Sequence, residues 1–405
     1  MTSPIDHALS ERGQRLLRTL AATPPALLDR LGDKLRAAGY DADLIAAVLT
    51  QCELREHART KLGPAAAEMV FTRAGLEQAT RLIVAAHHAN RFRAAGIDRV
   101  ADLGCGLGVE SLALAGLGIR VVACDRDEQM VLAARHNLRA FPEAEVRHVD
   151  VTEVDPAAWG VDAFFADPQR RNPAGRVLAP ESWSPPLSYF LDLADSLPGG
   201  IKVAPGIDHA ALPPDWHAQW TSVDGDLVEA CLWSGELAQT GPGRSALVIA
   251  ETHAAEFAIP DITCANAPNP QVEPAERLAA YLFEPDSALI RAGAIASLAS
   301  ELDARPVFTS IAYLTGNTAP PEHLTPFISQ WRIGDVVGLR TKTLKAAMRA
   351  WGAGQVTIKK RGVNIDPARL RRAILPKPAG DAHITLACTR VGARHVALRL
   401  DPVED

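Results

Sequence analysis

The sequence predicts an α/β fold in which a doubly wound, seven-stranded sheet is preceded by an N-terminal helical cap and followed by a C-terminal α+β domain. From Arg99 onward, short apolar segments alternate with segments long enough for helices or connecting loops. Such alternation is typical of a mainly parallel sheet with helices on both faces. Before Arg99, apolar residues recur at the three- and four-residue spacing of an amphipathic helix. In such a sheet, ligands bind beyond the carboxyl ends of the strands.

The length of the chain implies more than one domain. Its 405 residues exceed a typical domain of roughly 100 to 200 residues. We predict a helical cap over residues 1–65, a sheet domain over 66–250 and an α+β domain over 251–405. A hydrophobic fraction of 47% with 22% charged residues is ordinary for a globular protein. No apolar run approaches the roughly 18 residues that a membrane span requires.

The N-terminus and the cysteines indicate a cytoplasmic protein without a metal. The first residues, MTSPIDHALSERGQRLL, contain no apolar signal-peptide core. The cysteines form no C-x-x-C pair, which argues against a zinc site and against a disulfide framework. They are Cys52, Cys105, Cys124, Cys231, Cys264 and Cys388. A reducing cytoplasm is the expected location, and no metal ion is expected.

The cap and the segment that follows it are predicted to be helical. The candidate helices of the cap are ERGQRLLRTLA, PPALLDRLGDKLRAAG and DADLIAAVLTQCELREHARTKLG, and Pro24, Pro25 and Gly39 mark breaks between them. A single further helix, RAGLEQATRLIVAAHHANRFRAAG, is expected to lead into the sheet.

Seven apolar segments are the candidate strands of the sheet: RVADLG, RVVACD, EVRHVD, DAFFAD, GIKVAP, LVEACLWSG and SALVIA. The last two lie close together in the chain, so we expect an antiparallel hairpin at the sheet edge. In the C-terminal domain, EPDSALIRAGAIASLASEL and TKTLKAAMRAWG have helical patterns. Strand-like patterns follow in QVTIKKRGVNI, HITLACTRV and RHVALRL.

A glycine-rich turn follows the first predicted strand. Asp102 lies two residues before the first of three alternating glycines, which are Gly104, Gly106 and Gly108 in VADLGCGLG. Glycines let the backbone turn tightly and approach a ligand between a strand and a helix N-terminus. A dinucleotide site would favour the spacing G-x-G-x-x-G and would not place a carboxylate beside pyrophosphate. An acid at this point suits a cofactor with an ammonium group and no phosphate, and S-adenosylmethionine is such a cofactor.

Two further acids end the next predicted strands. Asp125 ends RVVACD, 21 residues after Gly104, where a carboxylate can accept both ribose hydroxyls of an adenosine. Asp150 ends EVRHVD, where its oxygen can accept from the adenine amine. We group Arg126 and Cys105 with these cofactor-binding residues, and the small size of the cysteine matters more than its thiol. The alternatives are a dinucleotide-dependent dehydrogenase and a purely structural turn.

Residues 70–250 resemble class I S-adenosylmethionine-dependent methyltransferases, which have a Rossmann-like sheet. Asp102 with the three glycines matches the first motif of that family, and Asp125 matches the second. Asp150 matches the third motif, and Asp167-Pro168 matches the fourth. A narrower resemblance, to bacterial methyltransferases followed by a THUMP-like domain, is carried by FTRAGLEQAT, ADPQRR, YLFEPDSALIRAG and VTIKKRGVNIDPARLRR. THUMP domains deliver RNA to modifying enzymes, so this resemblance implies an RNA substrate, such as tRNA or rRNA.

The fourth motif departs from the amine-methylating pattern, in which Asp, Asn or Ser precedes two prolines and an aromatic residue. The resemblance implies that the first side chain holds the acceptor and that the aromatic residue stacks on a flipped base. Asp167 and Pro168 match and are the predicted catalytic residues, whereas Gln169 replaces the second proline. Arg170 replaces the aromatic residue, which argues against an ordinary exocyclic base amine as acceptor. Arg170 and Arg171 are predicted to bind substrate by stacking or by gripping a phosphate, and a solvated turn is the alternative.

The charge of the chain is unevenly distributed. Residues 340–399 contain fourteen Lys or Arg and two Asp, a net charge of +12, although the whole chain carries −6. The remaining residues therefore carry about −18. Lys359, Lys360 and Arg361 in the basic segment are predicted to contact phosphates, which basic side chains neutralise without reading sequence. A solvated basic face is the alternative.

The sequence thus predicts a methyltransferase that modifies RNA presented by its basic C-terminal domain, and no feature indicates DNA or a membrane as a partner. Two alternatives stay open. One is a methyltransferase that acts on a small molecule or a protein. The other is an RNA-binding protein that keeps the cofactor fold without catalysis, as the altered fourth motif permits.

Overall fold

The computed structural model divides the chain into two compact units. The first comprises Met1–Ala204 and Cys231–Thr240, and the second comprises Pro205–Ala230 and Gly241–Asp405. The structure describes residues 3–21, 23–28, 30–169, 171–172, 175–176, 179–251 and 253–403. The three-part division of the sequence stays a prediction. Of the helices in these residues, none is both long enough and apolar enough to cross a membrane.

The helices of the first unit begin at recognisable caps. Ser3 and Asp6 form a reciprocal capping box at the first helix, and the Asp41 carboxylate accepts from the backbone N of Leu44 at the longest one. The helices are α1 (Pro4–Leu9), α2 (Glu11–Leu20), α3 (Pro25–Leu28), α4 (Gly32–Ala37), α5 (Ala42–Leu62), α6 (Arg73–Gln78), α7 (Leu82–Ala94), α8 (Val109–Gly116), α9 (Glu128–Asn137) and α10 (Leu187–Leu193). Two predicted helices of the cap correspond to α2 and α5, whereas the predicted helix PPALLDRLGDKLRAAG forms two separate helices, α3 and α4.

The N-terminal helices pack onto the glycine-rich turn. Leu54 and Leu62 of α5 share a buried apolar cluster with Leu107 and Val109, which lie in the turn and at the start of α8. Burial of each such side chain contributes roughly 1.5 to 3 kcal/mol. The cap therefore packs against the turn and the start of α8 and stabilises both.

The single helix predicted after the cap is wrong, because the segment is broken into α6 and α7. Ala79 leaves the helical conformation with a ψ of 132°, and α7 begins at Leu82. Lys61 Nζ donates to three carbonyl oxygens at the end of α6, at 2.8 to 3.3 Å. Lys202 Nζ donates to Thr80 Oγ1 between the two helices at 2.8 Å. The two lysines thus donate hydrogen bonds to carbonyl and hydroxyl oxygens at the point where the helical hydrogen bonding is interrupted.

The strands of the first unit form the predicted parallel arrangement, and their order is β3-β2-β1-β4-β7. The strands are β1 (Arg99–Leu103), β2 (Arg120–Asp125), β3 (Glu145–His148), β4 (Ala163–Ala166), the short pair β5 (Arg171–Asn172) and β6 (Gly175–Arg176), and β7 (Gly199–Val203). Leu103 is in register with Cys124 on one side and with Ala166 on the other. Because these parallel strands end at the same edge, the segments that follow β1, β2, β4 and β7 gather there.

An aromatic cluster forms part of the core of this unit. Phe92 of α7 and Phe165 of β4 pack against Trp233, with ring centroids 5.9 to 6.4 Å apart. Aromatic pairs at such separations contribute about 0.5 to 1.5 kcal/mol beyond their buried area. The cluster fixes β4 and so the position of the residues that follow it.

The second unit contains strands that the sequence did not predict, among them β8 (His217–Val223) and β11 (His253–Ala258). Strand β9 (Asp226–Trp233) has residues in both units, and β10 (Gly243–Ala250) belongs to the second. The predicted hairpin is wrong, because β10 pairs in parallel with β8 and antiparallel with β11. Strand β8 escaped prediction because it buries polar side chains such as His217 and Gln219, which hydrogen-bond within the sheet.

The C-terminal part of the second unit has an α+β fold, as predicted. Its strand order is β13-β14-β12-β15-β18-β17-β16, with β16 and β17 parallel. Its strands are β12 (Tyr281–Pro285), β13 (Ala304–Phe308), β14 (Ile311–Gly316), β15 (Ile328–Gly338), β16 (Ala353–Lys360), β17 (Ala382–Val391) and β18 (Arg394–Asp401). Its helices are α11 (Ser287–Ala292), α12 (Ile295–Glu301), α13 (Thr341–Ala350) and α14 (Pro367–Ile374). Leu344 of α13 and Ile374 of α14 pack against Val356 and Leu386 of the sheet, which leaves their opposite faces exposed.

Candidate cofactor and acceptor site

The glycine-rich turn connects β1 to α8 with three residues in the left-handed region. Gly104, Gly106 and Gly108 have φ angles of 82°, 52° and 77°. A Cβ on Gly104 would lie 3.3 Å from the carbonyl oxygen of Asp167, so the close approach of these two segments requires glycine as much as the φ angle does. The backbone N of Gly104 and that of Cys105 both donate to Cys124 O, at 3.0 and 2.9 Å.

Asp125 links this turn to the end of β2. Its Oδ2 accepts from the backbone N of Gly106 and its Oδ1 from that of Asp127, each at 2.9 Å. Burial raises the pKa of the Asp125 carboxyl, and these two backbone hydrogen bonds oppose the rise. The carboxylate is therefore held in one orientation beside the turn.

Asp102 lies on β1 beneath the turn and is fully enclosed. Ser111 Oγ donates to its Oδ2 at 2.5 Å. Burial raises the pKa of Asp102 to about 7, and the neighbouring acids Glu110 and Asp167 raise it further while the Ser111 hydrogen bond lowers it. Asp102 is therefore a carboxyl that ionises near neutral pH, and an arriving cation would favour its charged form.

Asp150 and Arg126 lie at the ends of the next segments. The Asp150 Oδ1 accepts from the backbone N and the hydroxyl of Thr152, and these bonds hold the pKa of Asp150 below its ordinary value. Arg126 Nη1 is 4.0 Å from Asp150 Oδ2 and donates to Ser184 Oγ at 2.9 Å. Arg126 Nη2 donates to Gln169 Oε1 at 2.5 Å. Arg126 thus hydrogen-bonds both to Gln169, in the segment after Asp167, and to Ser184.

Cys105 is a buried member of the turn. Burial raises the pKa of its thiol well above the ordinary value, so the thiol stays protonated and unreactive at neutral pH. This agrees with an effect of its size rather than of its chemistry.

Asp167 follows β4 and forms an ion pair that the sequence analysis missed. Its side chain is 30% exposed, and its Oδ2 accepts from Lys202 Nζ at 2.9 Å. Lys202 lies on β7 with a side chain that is only 6% exposed, and its ammonium also reaches Thr80. The signal was a lysine inside the apolar strand segment GIKVAP, because a lysine is buried almost only when it is paired.

The structure thus brings the predicted cofactor-binding residues together with Asp167, the first of the two predicted catalytic residues. Asp102, Gly104, Asp125 and Asp167 lie at one edge of the parallel sheet, with Pro168 buried beside them. Arg170 and the side chain of Arg171 lie outside the described residues. Within the parts of the chain that are described, no group of three or more His, Cys, Asp or Glu could hold a metal ion.

The predicted phosphate contacts on β16 have partners inside the second unit. Lys359 Nζ donates to Glu284 Oε2 at 2.6 Å, and Arg361 Nε donates to Glu284 Oε1 at 3.3 Å. Lys360 donates to the carbonyl oxygen of Ile365 at 2.7 Å and is exposed. One carboxylate therefore balances part of the charge of this triad, and its phosphate contacts stay a prediction.

The exposed faces of α13 and α14 carry most of the remaining positive charge of this region. The exposed cations are Lys342, Lys345, Arg349, Arg369, Arg371 and Arg372, which we call the α13–α14 basic face. Asp366 is occupied as the N-cap of α14, where its Oδ1 accepts from the backbone N of Ala368 and Arg369. The basic face thus has the form of a surface for an extended anion.

The donor set at the glycine turn fits S-adenosylmethionine. The carboxylates of Asp102, Asp125 and Asp167 border the turn. They suit an ammonium, a sulfonium and ribose hydroxyls, whereas they would repel a pyrophosphate group. Because Gly104 has no side chain, the backbone of the turn can lie close to the backbone of Asp167. Fold and site together define a class I methyltransferase.

Comparisons with known proteins agree with this class. A methyltransferase domain family matches residues 100–169, a THUMP domain-like family matches residues 328–402, and a domain family of unknown function matches residues 5–58. Proteins from two Mycobacterium tuberculosis strains, CDC 1551/Oshkosh and H37Rv, are each described as an uncharacterized S-adenosylmethionine-dependent methyltransferase. Each is 30% identical over 349 residues, which cover 84% of this chain and 91% of the relative.

The chain therefore belongs to the S-adenosylmethionine-dependent methyltransferases and carries a THUMP-like domain in its C-terminal part. A crystal structure from Porphyromonas gingivalis W83, described as that of a candidate methyltransferase, has the same fold with a TM-score of 0.75. It is 21% identical and covers 96% of this chain and 97% of its own. The predicted class, fold and cofactor are confirmed, and S-adenosylmethionine is the methyl donor.

Proposed function

We propose that this methyltransferase modifies RNA, either tRNA or rRNA. The observation that carries the proposal is the α13–α14 basic face, which lies within the THUMP-like match at residues 328–402. Residues 340–399 carry a net charge of +12 on a chain whose remainder carries about −18. A protein that is acidic elsewhere gains little from such a concentration of cations unless a polyanion binds there.

The basic face suits phosphates rather than bases. Its side chains are exposed lysines and arginines on two helices that pack on the same sheet, so they can follow a phosphate backbone. The face carries no exposed aromatic residue in α13 or α14 on which a base would stack. We infer that the second unit holds RNA by its backbone and that the acceptor site selects the modified nucleotide.

In the first unit, the proposed roles follow from the chemistry of the acids. Asp102 and the glycines hold the methionine end of the cofactor, because an ammonium stabilises the ionised form of this enclosed carboxyl. Asp125 accepts from the ribose hydroxyls and Asp150 from the adenine amine, while Arg126 keeps the adjoining loops together. When bound, S-adenosylmethionine supplies a methyl group on a sulfonium as the electrophile.

Asp167 and Pro168 orient the acceptor. Asp167 Oδ2 is engaged by Lys202, whereas its Oδ1 makes no hydrogen bond to any described residue. That second oxygen can accept an N–H or O–H of the acceptor and direct its lone pair at the methyl carbon. Lys202 acts through Asp167 as a positioning residue, because its ammonium hydrogen-bonds to Oδ2 and fixes the rotamer of the carboxylate.

The test is transfer of a labelled methyl group from S-adenosylmethionine to total RNA from a strain that lacks this gene. We expect label in RNA that disappears with nuclease and with Asp167→Ala, while the variant still binds the cofactor. Label in protein or in small molecules, with none in RNA, would reject the RNA substrate. Cofactor binding without transfer to any of these acceptors would instead favour the non-catalytic alternative.

A further inference from the structure

The first unit contains a second positively charged site, in a cavity of about 270 Å³ among the N-terminal helices. Three arginines line it: Arg18 from α2, Arg55 from α5 and Arg139, which follows α9. The lining contains a single acid, Glu68. We call this cavity the arginine pocket. None of these residues belongs to the proposed cofactor and acceptor site.

The positive charge of the arginine pocket is only partly balanced. Glu68 Oε2 accepts from Arg139 Nη2 at 3.0 Å, and Arg139 Nη1 donates to two backbone carbonyl oxygens. Arg55 donates from Nε to the carbonyl oxygen of Met69 at 2.9 Å, which carries no full charge. Arg18 is exposed, and its guanidinium makes no hydrogen bond to any described residue. Three guanidinium groups therefore meet one carboxylate.

The surrounding groups respond to this excess of positive charge. Burial lowers the pKa of Arg55; Cys52 and Glu68 oppose this fall, and the nearby charge of Arg139 adds to it. Burial also lowers the pKa of His136 to about 4, and both Arg139 and Arg55 contribute in the same direction. A bound anion would oppose these shifts, since it would stabilise the charged forms of the neighbouring cations.

We propose that the arginine pocket binds a phosphate group, and specifically a phosphodiester of the RNA substrate. Guanidinium groups present parallel N–H donors that match phosphate oxygens, and weak hydration makes arginine suited to partly buried sites. Because the rest of the chain is acidic, a local concentration of arginines outside residues 340–399 gives a polyanion a second point of attachment. The N-terminal helices then bind substrate in addition to stabilising the glycine-rich turn.

The choice of RNA as the source of the phosphate rests on the proposed function. The recognised chemistry, a phosphate oxyanion, would be the same in a free phosphate ion. The test therefore needs two arms, one with RNA and one with inorganic phosphate, and both use the full-length protein.

The test variant is Arg18→Gln, because Arg18 has no hydrogen bond to lose and its exposed position keeps α2 intact. The matched control is Arg15→Gln on the same helix, whose guanidinium pairs with Glu11 at 2.6 Å and does not line the pocket. RNA affinity is measured against salt concentration for both variants. Loss of one phosphate contact should reduce the slope of log affinity against log salt by about 0.7 to 0.9 in Arg18→Gln. The slope of Arg15→Gln should match the wild type.

In the second arm, the unfolding temperature is measured against inorganic phosphate at constant ionic strength. A reduced RNA slope in Arg18→Gln supports the phosphodiester site. An unchanged RNA slope with loss of phosphate stabilisation would reject RNA as the source and leave a site for free phosphate. If both arms match the control, the arginine pocket does not bind phosphate. Methyl transfer to RNA by the wild type is read separately, so failure of the pocket is distinguishable from failure of the proposed function.

Discussion

Replacement of Lys202 by methionine tests whether the Asp167–Lys202 pair prepares the acceptor site. Methionine matches the length of the lysine stem and removes the charge, so Asp167 loses the partner that lies 2.9 Å from its Oδ2. If the carboxylate turns toward water, the oxygen that should accept from the substrate is misplaced. A displacement of about 1 Å can cost about 100-fold in rate, which corresponds to roughly 2.7 kcal/mol of transition-state stabilisation.

The effect on folding should be smaller than the effect on catalysis. Breaking a fully buried ion pair costs about 3 to 5 kcal/mol. Here the Asp167 side chain is 30% exposed and can regain water, so we expect a loss of about 1 to 2 kcal/mol in the free energy of unfolding. The protein should therefore stay folded at assay temperature, and a fall in activity can be read as a site effect.

The assay measures kcat and KM for RNA together with the dissociation constant of the cofactor. We expect kcat to fall about 100-fold in Lys202→Met, with cofactor affinity within about threefold of the wild type. The double variant Lys202→Met with Asp167→Ala should be little worse than Asp167→Ala alone, because both changes remove the same oriented carboxylate. Thr80→Ser keeps the hydroxyl that accepts from Lys202 and is the matched control. Full kcat in Lys202→Met, or additive losses in the double variant, would refute the reasoning.

Three further predictions concern the cofactor turn and the basic face. Because burial raises the pKa of Asp102 to about 7, S-adenosylmethionine should bind roughly fivefold more tightly at about pH 7 than at about pH 6, and Asp102→Asn should abolish this dependence. The unfolded carboxyl ionises near 3.8, so the free energy of unfolding without cofactor should fall from about pH 4 to 7 relative to Asp102→Asn, as denaturant titration would measure. Gly104→Ala, at a φ of 82° with a Cβ 3.3 Å from a carbonyl oxygen, should cost about 1 to 2 kcal/mol and weaken cofactor binding, as calorimetry would detect; Gly116→Ala in open space is its control. Replacing the three exposed arginines of α14 by glutamine should lower the salt dependence of RNA binding by about two to three units of slope and leave cofactor affinity unchanged.

The sequence predicted the cofactor side of the molecule well because its signals are local. The glycines after β1 and the acids at the ends of β1 and β2 are fixed by strand-turn-helix geometry within a few residues. The Asp167-Pro168 motif is equally local. In the structure they therefore lie at the carboxyl ends of neighbouring parallel strands, where the sequence placed them.

The misses involve contacts between distant parts of the chain. The break between α6 and α7 depends on Lys202, which lies 122 residues from Thr80 in the sequence. Glu284, which pairs with Lys359, lies 75 residues away in the sequence. The sequence of the basic segment therefore does not show that a carboxylate balances part of its charge. Strand β8 buries polar side chains whose partners lie on β10 and β11, and periodicity of apolar residues cannot detect them.

The central claim is that this methyltransferase modifies RNA through Asp167. The most direct measurement is nucleoside mass spectrometry of total tRNA and rRNA from three strains: the wild type, a deletion of the gene, and the deletion complemented with Asp167→Ala at equal protein level. We predict one methylated nucleoside that is present in the wild type and lost in both other strains. Identical methylated nucleosides in the wild type and the deletion strain would contradict the RNA substrate, and full restoration by Asp167→Ala would contradict the role of its carboxylate.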